Sequence, residues 1–519
     1  MDILKDQHVL LLGLGASGLA MARWCVRCGA KVTVADTRSA PPQLAALRAE
    51  LPGARFVASP LDATLLEGTD ICAVFKSPGL TPSEVAAVCD AAHAIGIRTA
   101  GELTLFSQAL AELKVARGYA PKVLAVTGTN GKTTVTSLTG QLVSRAGKTV
   151  VVAGNIGPTL LDTLSRCLDA DALPQVWVIE LSSFQLDREE TFEPSAATVL
   201  NVTQDHLDWH GSMQAYIDAK ANVFGRRALM LLNRDAPMVM AMLGAAAAGV
   251  GPALRGKVRP QAKVQPPSPR PHVTFGADMP TRPGDFGMEE VNGMLWLVRA
   301  LPADETRKKR NDAQRQELHI QRLMPADALR IRGRHNAVNA LAALALSQAA
   351  DCALGPMLYG LREYRGEPHR LESLGMIHEV EFFDDSKGTN VGATVAALNG
   401  LGIDRKLVAI LGGEGKGQDF SPLAQPVSNH ARAVVLIGRD APLIRASLEA
   451  TGVTLVDAAS MEQALATARE LARPGDAVLM SPACASFDMF DNYEHRARVF
   501  AQAVKACASA AGVTLEGSP

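Results

Sequence analysis

With 519 residues the chain is too long for one ordinary hydrophobic core, and usual domain sizes divide it into about three domains. Lysine and arginine total 52 against 53 aspartates and glutamates, a net charge of -1 that excludes bulk electrostatic binding to nucleic acid. A hydrophobic content of 47% excludes a disordered chain, and no apolar run reaches the roughly 18 residues of a membrane span.

The first hundred residues alternate short β-rich runs with helical ones. Strands are expected at Val9–Leu12, Val32–Ala35 and Ala73–Phe75, the last stopping at Ser77-Pro78-Gly79-Leu80. This rhythm predicts a parallel sheet with helices on both faces. Asp2 and Asp6 spoil the basic start of a secretory leader, so a cytoplasmic chain is expected. Between the first strand and the first helix lies Gly13-Leu-Gly15-Ala-Ser-Gly18, and Asp36 ends the second strand. That is the dinucleotide fingerprint in its proper setting. The same loop serves any diphosphate on a ribose, a UDP-sugar included. Cys25 and Cys28 have CxxC spacing but fall inside the expected first helix, with no second pair for zinc. A buried, reduced, structural role is the better reading for them.

A second series starts at Val123, with strands expected at Val123–Val126, Thr149–Val152, Trp177–Ile179 and Ala197–Leu200. The first runs into Gly128-Thr129-Asn130-Gly131-Lys132-Thr133-Thr134. A strand, a glycine turn and a helix start present free backbone N–H groups to an anion. Lys132 would reach the β- and γ-phosphates and Thr133 would offer its hydroxyl to Mg²⁺. Val126 stands where the strict phosphate-loop pattern has its first glycine. A chain with its own triphosphate loop makes a UDP-sugar the better reading of the loop at Gly13. Glu180 and His206 fall at the carboxyl ends of later strands, facing the ligand crevice. They are candidate Mg²⁺ ligands, although histidine is unusual for that ion; the alternative is loop hydrogen bonding.

From Ala241 to Ala328 the pattern fails. Its proline-rich "PQAKVQPPSPRPH" and basic "ETRKKRNDAQRQE" tracts read as a surface insertion. A helix is expected over Arg332–Leu346. It carries Asn336 and Asn339 three apart on one face, suited either to an adenine edge or to capping. A third series begins near Glu379, with strands at Leu407–Leu411, Val434–Ile437 and Ala477–Met480. Its loops set Arg370, Lys387 and Lys416 in turns or at strand ends, where fixed cations suit a γ-phosphate and a substrate carboxylate. Cys484 has no partner base nearby in sequence, so packing is favoured over catalysis.

"GTNGKTT", "ELSSFQL", "NVTQDHLD", "GRHNAVNA", "PHR", "DDSKGTNVGAT" and "SPACASFDMF" occur in the order found in the Mur ligases. The chain resembles that family over almost its whole length. The N-terminal loop and "SPACASFD" look most like the branch that adds D-glutamate to UDP-N-acetylmuramoyl-L-alanine. The resemblance implies an α/β fold of three domains: a Rossmann-like UDP-binding domain over 1–100, a central ATP-binding domain over 101–366 with its insertion at 241–328, and a Rossmann-like domain over 367–519. It implies ATP and two Mg²⁺ ions, a monomer, and no nucleic-acid partner.

Under the resemblance, Gly15, Ala16, Ser17, Asp36, Thr37, Arg38, Gly79 and Asn155 would hold the UDP-muramoyl substrate. Gly128 to Thr134, Asn336, Asn339, Arg370 and Asp385 would hold ATP. Thr133 and Glu180 would bind one Mg²⁺, and His206 with a carbamylated Lys220 the other. Lys387, Thr389, Lys416, Ser486 and Tyr493 would form the D-glutamate site. Catalysis would fall to Lys132, His206, Lys220, Arg370 and Lys387. The chain departs from the family in carrying Tyr493 where an aromatic without a hydroxyl is usual, and in its long insertion. Three rivals remain: a nicotinamide-dependent dehydrogenase, a folylpoly-γ-glutamate synthase, and a nucleotide-binding protein without catalysis.

Overall fold

The computed structural model describes residues 4–247, 270–303, 317–403 and 405–515. Three large sheets follow one another along the chain, each wrapped by helices on the pattern the alternating sequence predicts. The first has five parallel strands in the order Arg55–Ala58, Lys31–Asp36, His8–Leu12, Ile71–Lys76 and Arg98–Ala100. Its strand order reverses beside His8–Leu12, so a crevice opens at the carboxyl ends of the inner strands.

The central sheet has six parallel strands: His272–Phe275, Leu229–Asn233, Ala196–Val199, Lys122–Thr127, Val176–Glu180 and Val150–Gly154. Lys122–Thr127 and Val176–Glu180 are almost continuously buried, as strands covered on both faces must be. The last large sheet runs Glu372–Ile377, Val380–Asp384, Ala477–Met480, Leu407–Gly412, Ala431–Ile437 and Thr454–Asp457, with only the first strand antiparallel.

The span from Ala241 to Ala328 holds more order than its composition suggests. His272–Phe275 adds an edge to the central sheet, and Phe286–Val291, Met294–Pro302 and Leu318–Pro325 make a three-stranded antiparallel sheet. Phe286, Met288, Leu297 and Met324 bury their side chains in the same cluster as the helix Arg334–Ala349. These strands flank the polar tracts that dominate the span, which is why a pattern reading passes over them. The proline-rich and basic tracts lie almost wholly outside the described residues.

The first two domains share one apolar cluster. It runs from Trp24 and Leu19 through Leu103 and Phe106 on the helix Glu102–Arg117 to Trp177 and Ile179 of the central sheet. The Phe106 and Trp177 rings meet edge to face at 5.0 Å, and Trp177 donates to the Tyr119 hydroxyl at 2.8 Å. Arg23 donates to both Asp162 oxygens at 3.1 and 3.2 Å, joining the first helix of one domain to a helix of the next. Cys25 and Cys28 are buried with free thiols, and burial pushes the Cys28 thiol up to about 11. Among the described residues no helix is long and apolar enough to cross a membrane.

Glu102 sits at this seam, 3% exposed, and accepts from the Leu161 N–H at 3.1 Å and from the Ser17 side chain. Burial lifts its carboxyl to about 7, against those donors. The folded chain therefore keeps this proton up to about pH 7, whereas the unfolded chain releases it near its ordinary value of 4.5. Stability should fall as pH rises through that window and level off above it, by at most about 3 kcal/mol. Glu102→Gln is expected to flatten this slope in denaturant titrations run from pH 4.5 to 8. An unchanged slope would place the proton elsewhere.

Candidate active site

The strand Lys122–Thr127 ends in the turn 128–131, and the helix Lys132–Arg145 starts directly after it. Gly131 has φ +83°, a conformation that disfavours a side chain, and a Cβ there would sit 2.8 Å from Asn339 Oδ1. No side chain caps this helix, so its first N–H groups face the turn. The turn is braced from behind: Thr129 N–H donates to Asn201 O at 3.0 Å, and Asn130 N–H to Asn201 Oδ1 at 2.9 Å. Lys132 Nζ folds over the turn and donates to the Gly128 and Thr129 carbonyls, both at 2.9 Å. Burial holds its pKa below the ordinary lysine value, with Glu180 opposing.

Around this turn the chain gathers most of the residues singled out in the sequence. Glu180 ends its strand 1% exposed; one carboxylate oxygen accepts from Asn155 Nδ2 at 2.8 Å and the other is buried without a partner. Lys220 is 1% exposed and donates to Gly128 O at 2.9 Å, its Nζ 4.5 Å from the centre of the Tyr216 ring. Burial and the nearby Lys132 hold this amine well below the ordinary lysine value. His206 has φ +53° and lies edge to face with Phe184 at 4.8 Å, and burial holds its imidazole below the ordinary value. Thr134 is buried, and its carbonyl accepts from the Tyr364 hydroxyl. Asn339 Nδ2 donates to Asn336 Oδ1 at 3.1 Å, and Asn336 Nδ2 to Arg332 O at 2.8 Å. The two amides therefore brace each other beside Gly131.

The third domain closes on this cluster. Arg370 donates to Thr133 Oγ1 at 2.6 Å. Asp385 is buried, accepts from Ser481 Oγ at 2.6 Å and from Leu371 N–H at 3.3 Å, and is pushed up to about 7 by burial. Lys387 Nζ donates to the Tyr493 hydroxyl at 2.8 Å, and that hydroxyl donates to Glu494 Oε1 at 2.9 Å. Thr389 follows in the same loop, its N–H on the Lys387 carbonyl at 2.9 Å. Ser486 is buried, and Lys416 is exposed with Nζ 5.6 Å from the ring centre of Phe487, the residue after Ser486. Cys484 is fully buried and its thiol is pushed up to about 12, which suits packing.

The N-terminal loop forms a separate crevice. Gly15 precedes the helix Ala16–Arg27 with no side-chain cap, leaving its N–H groups free for an anion near Ala16 and Ser17. A Cβ on Gly18 would run into the Gly13 carbonyl oxygen. Asp36 does not wait for a ribose. Its oxygens already accept from Leu14 N–H at 2.8 Å and from the Arg38 guanidinium at 2.8 Å, and Arg38 holds the carboxyl down to about 2. Thr37, Arg38 and Gly79 are exposed around the mouth. The mouth of the loop thus carries a guanidinium held by its ion pair with Asp36. Asn155, expected with this set, follows the edge strand Val150–Gly154 of the central sheet and donates to Glu180 Oε1 at 2.8 Å.

Residues outside the expected set also converge here. Asp205 lies beside His206, Asn390 reaches the phosphate loop, and His369 Nδ1 lies 2.7 Å from Asp384 Oδ2, with Glu372 close by. Each sits one or two residues from a residue singled out in the sequence, and that proximity was the signal.

Fold and geometry together describe a three-domain α/β protein in which Arg370 of the third domain reaches the phosphate loop of the second. Three domain profiles match in succession: Mur ligase MurD-like N-terminal domain over 7–101, Mur ligase middle domain over 126–251, and Mur ligase glutamate ligase domain over 369–484. The chain is 71% identical to the UDP-N-acetylmuramoylalanine--D-glutamate ligase of Albidiferax ferrireducens, covering 100% of both chains. It is 55% identical to the protein of that name from Ralstonia nicotianae, covering 99% of both. In fold it is similar to the MurF ligase of Thermotoga maritima in complex with ADP, at TM-score 0.56 and 14% identity over 98% of this chain and 97% of that one. A pseudomurein peptide ligase type C from Methanothermus fervidus gives TM-score 0.51 at 16% identity, covering 97% and 100%. The chain belongs to the Mur ligase family, ATP-dependent ligases of peptidoglycan precursor synthesis.

Proposed function

We propose that this ligase joins D-glutamate to UDP-N-acetylmuramoyl-L-alanine in the cytoplasm, using ATP. The observation that carries the reading is the reach of Arg370, from the third domain, to Thr133 in the phosphate loop of the second. It brings a fixed cation to the position where charge develops in phosphoryl transfer. The shared name of relatives at 55% to 71% identity supports the choice of substrates.

The L-alanine carboxylate attacks the γ-phosphate of ATP, giving an acyl phosphate and ADP. The D-glutamate amine then attacks the activated carbonyl, and the tetrahedral intermediate collapses to amide and phosphate. Lys132 and Arg370 neutralise phosphate charge, while the domains hold the reactants in line. The loop at Gly13 holds the uridine diphosphate, with Arg38 fixed by Asp36 at its mouth. Lys387, Thr389, Lys416, Ser486 and Tyr493 take the amino acid, and Asn336 and Asn339 shape the nucleotide side of the loop.

The residues present suit two Mg²⁺ ions. Glu180 keeps one buried carboxylate oxygen without a protein partner, Thr133 adds a hydroxyl, and His206 is held neutral. Lys220, carbamylated as in the family, would complete the second set with His206. When bound, Mg²⁺ supplies charge neutralisation at the phosphoryl oxygens.

The test is phosphate release from ATP in the presence of UDP-N-acetylmuramoyl-L-alanine, with D-glutamate, L-glutamate, L-alanine or no amino acid. Release with D-glutamate alone is expected. Release with another amino acid would keep the ligase and move its substrate, and no release from folded protein with Mg²⁺ would sink the reading.

A further inference from the structure

The seam between the second and third domains has few polar contacts, and one is complete in an unusual way. Asn390 ends the loop that carries Lys387 and Thr389, and it begins the helix Val391–Leu401. It is 6% exposed. Its Oδ1 accepts from Asn130 Nδ2 at 3.1 Å, and its Nδ2 donates back to Asn130 Oδ1 at 3.1 Å. The same Nδ2 donates to Asp205 Oδ2 at 3.3 Å, and the same Oδ1 accepts from Ala393 N–H at 2.9 Å. A primary amide has two donors and two acceptor positions, so all four are used. Asn130 is as firmly held from its own side: its N–H donates to Asn201 Oδ1 at 2.9 Å, and its carbonyl accepts from Asn201 Nδ2 at 3.1 Å.

The neighbours leave no slack around this pair. A Cβ on Gly392 would meet Thr203 Oγ1 at 2.7 Å and Asn130 Nδ2 at 3.1 Å. Thr203 is itself bound to Thr129 of the phosphate loop, its N–H donating to Thr129 Oγ1 at 3.0 Å. The helix start is thus seated on the phosphate loop through side-chain amides that only one alignment satisfies. A shift of an ångström would orphan four hydrogen-bonding groups at once.

We propose that Asn390 is a positioning residue whose reciprocal amide pair with Asn130 latches the amino-acid loop of the third domain onto the phosphate loop. The inference rests on the ligase reading of those two loops. With the latch seated, Arg370 reaches Thr133 of the phosphate loop and the loop carrying Lys387 is held beside it, so the amine meets the acyl phosphate where it forms. With the latch broken, the third domain swings free of a loaded phosphate loop, and water competes with the amine for the acyl phosphate.

The test compares Asn390→Ser, Asn390→Asp, Asn130→Ala and the Asn130→Ala/Asn390→Ser pair. Serine keeps an oxygen for the Ala393 N–H, so the helix cap survives while the reach to Asn130 is lost. Aspartate also keeps the cap but sets a carboxylate against Asp205. Three readouts are taken: kcat and KM for each substrate, the ratio of phosphate released to amide formed, and the spread of distances between spin labels on the second and third domains.

Asn390→Ser is expected to lower kcat about tenfold with KM for ATP changed less than about twofold, to raise the phosphate-to-amide ratio above that of the parent, and to broaden the label distances. Asn390→Asp should be at least as impaired. The double variant should be no worse than the poorer single one. A coupling ratio and kcat like the parent's in Asn390→Ser, or single losses that multiply in the double variant, would overturn the latch. If the parent protein itself releases no phosphate with any amino acid, the ligase reading fails, and the label distances alone then judge the latch. Distances equally narrow in parent and Asn390→Ser would reject it.

Discussion

Lys132→Ala is expected to lower turnover by about a thousandfold while leaving the affinity for UDP-N-acetylmuramoyl-L-alanine within about twofold of the parent. Lys132 springs from the first position of a helix whose N-terminus faces the phosphate turn, and its ammonium now rests on the Gly128 and Thr129 carbonyls. Those two bonds place Nζ directly over the turn, so a bound polyphosphate exchanges them for phosphate oxygens. The loss is of a charge that matters most as phosphoryl transfer proceeds, and it should fall chiefly on kcat. The Gly13 loop belongs to another sheet, and none of its hydrogen bonds reaches Lys132. Steady-state kinetics with calorimetric titration of the UDP substrate separates the two effects. Loss of UDP-substrate binding in the folded variant would mean that the two crevices are one.

Lys220→Ala should lower turnover by about a hundredfold or more, and a short carboxylic acid in the buffer should restore part of it. The bare ammonium is badly placed where it stands. It is 1% exposed, makes one hydrogen bond, to Gly128 O, and shares its surroundings with Lys132. Carbamylation would remove that mismatch, because it would turn a buried cation beside another cation into an anion facing one. A carboxylate small enough to enter the space left by the side chain would replace the missing group. Kinetics with and without acetate or formate, together with the intact mass of the parent protein, test this. A folded Lys220→Ala variant that no carboxylate rescues would count against the carbamate.

Much of this arrangement was legible before any coordinates. Val123–Val126, Trp177–Ile179 and Ala197–Leu200 carry β-branched and apolar residues without a break, so their strands were found to within a residue or two. Glycine spacing announced both loops because Gly13, Gly18, Gly128 and Gly131 each meet a steric demand that a side chain would violate. The strands Arg55–Ala58 and Arg98–Ala100 were missed, being short edge strands with little apolar signal. The antiparallel sheet at 286–325 was hidden for another reason: its central strand Met294–Pro302 is long and apolar, but it lies in a span dominated by polar tracts.

At the site, sequence located the charged residues but not their partners. Lys220 on a helix reads as a solvated face, and only folding buries it against Gly128. Asp36 reads as the acidic end of the fingerprint, and only folding shows its bonds to Leu14 and Arg38. Asn390 lies 260 residues from Asn130, a pairing that no local pattern encodes.

The apolar cluster that joins Trp24 and Phe106 to Trp177 separates the units of chemistry from the units of folding. A fragment ending near residue 100 would lose the helix Glu102–Arg117 and leave Leu19 and Trp24 facing water. A fragment ending near residue 366 keeps that cluster whole, along with the one around Arg334–Ala349. Dissected by its chemistry the chain has three modules. Dissected for independent expression it should be cut once, after the second.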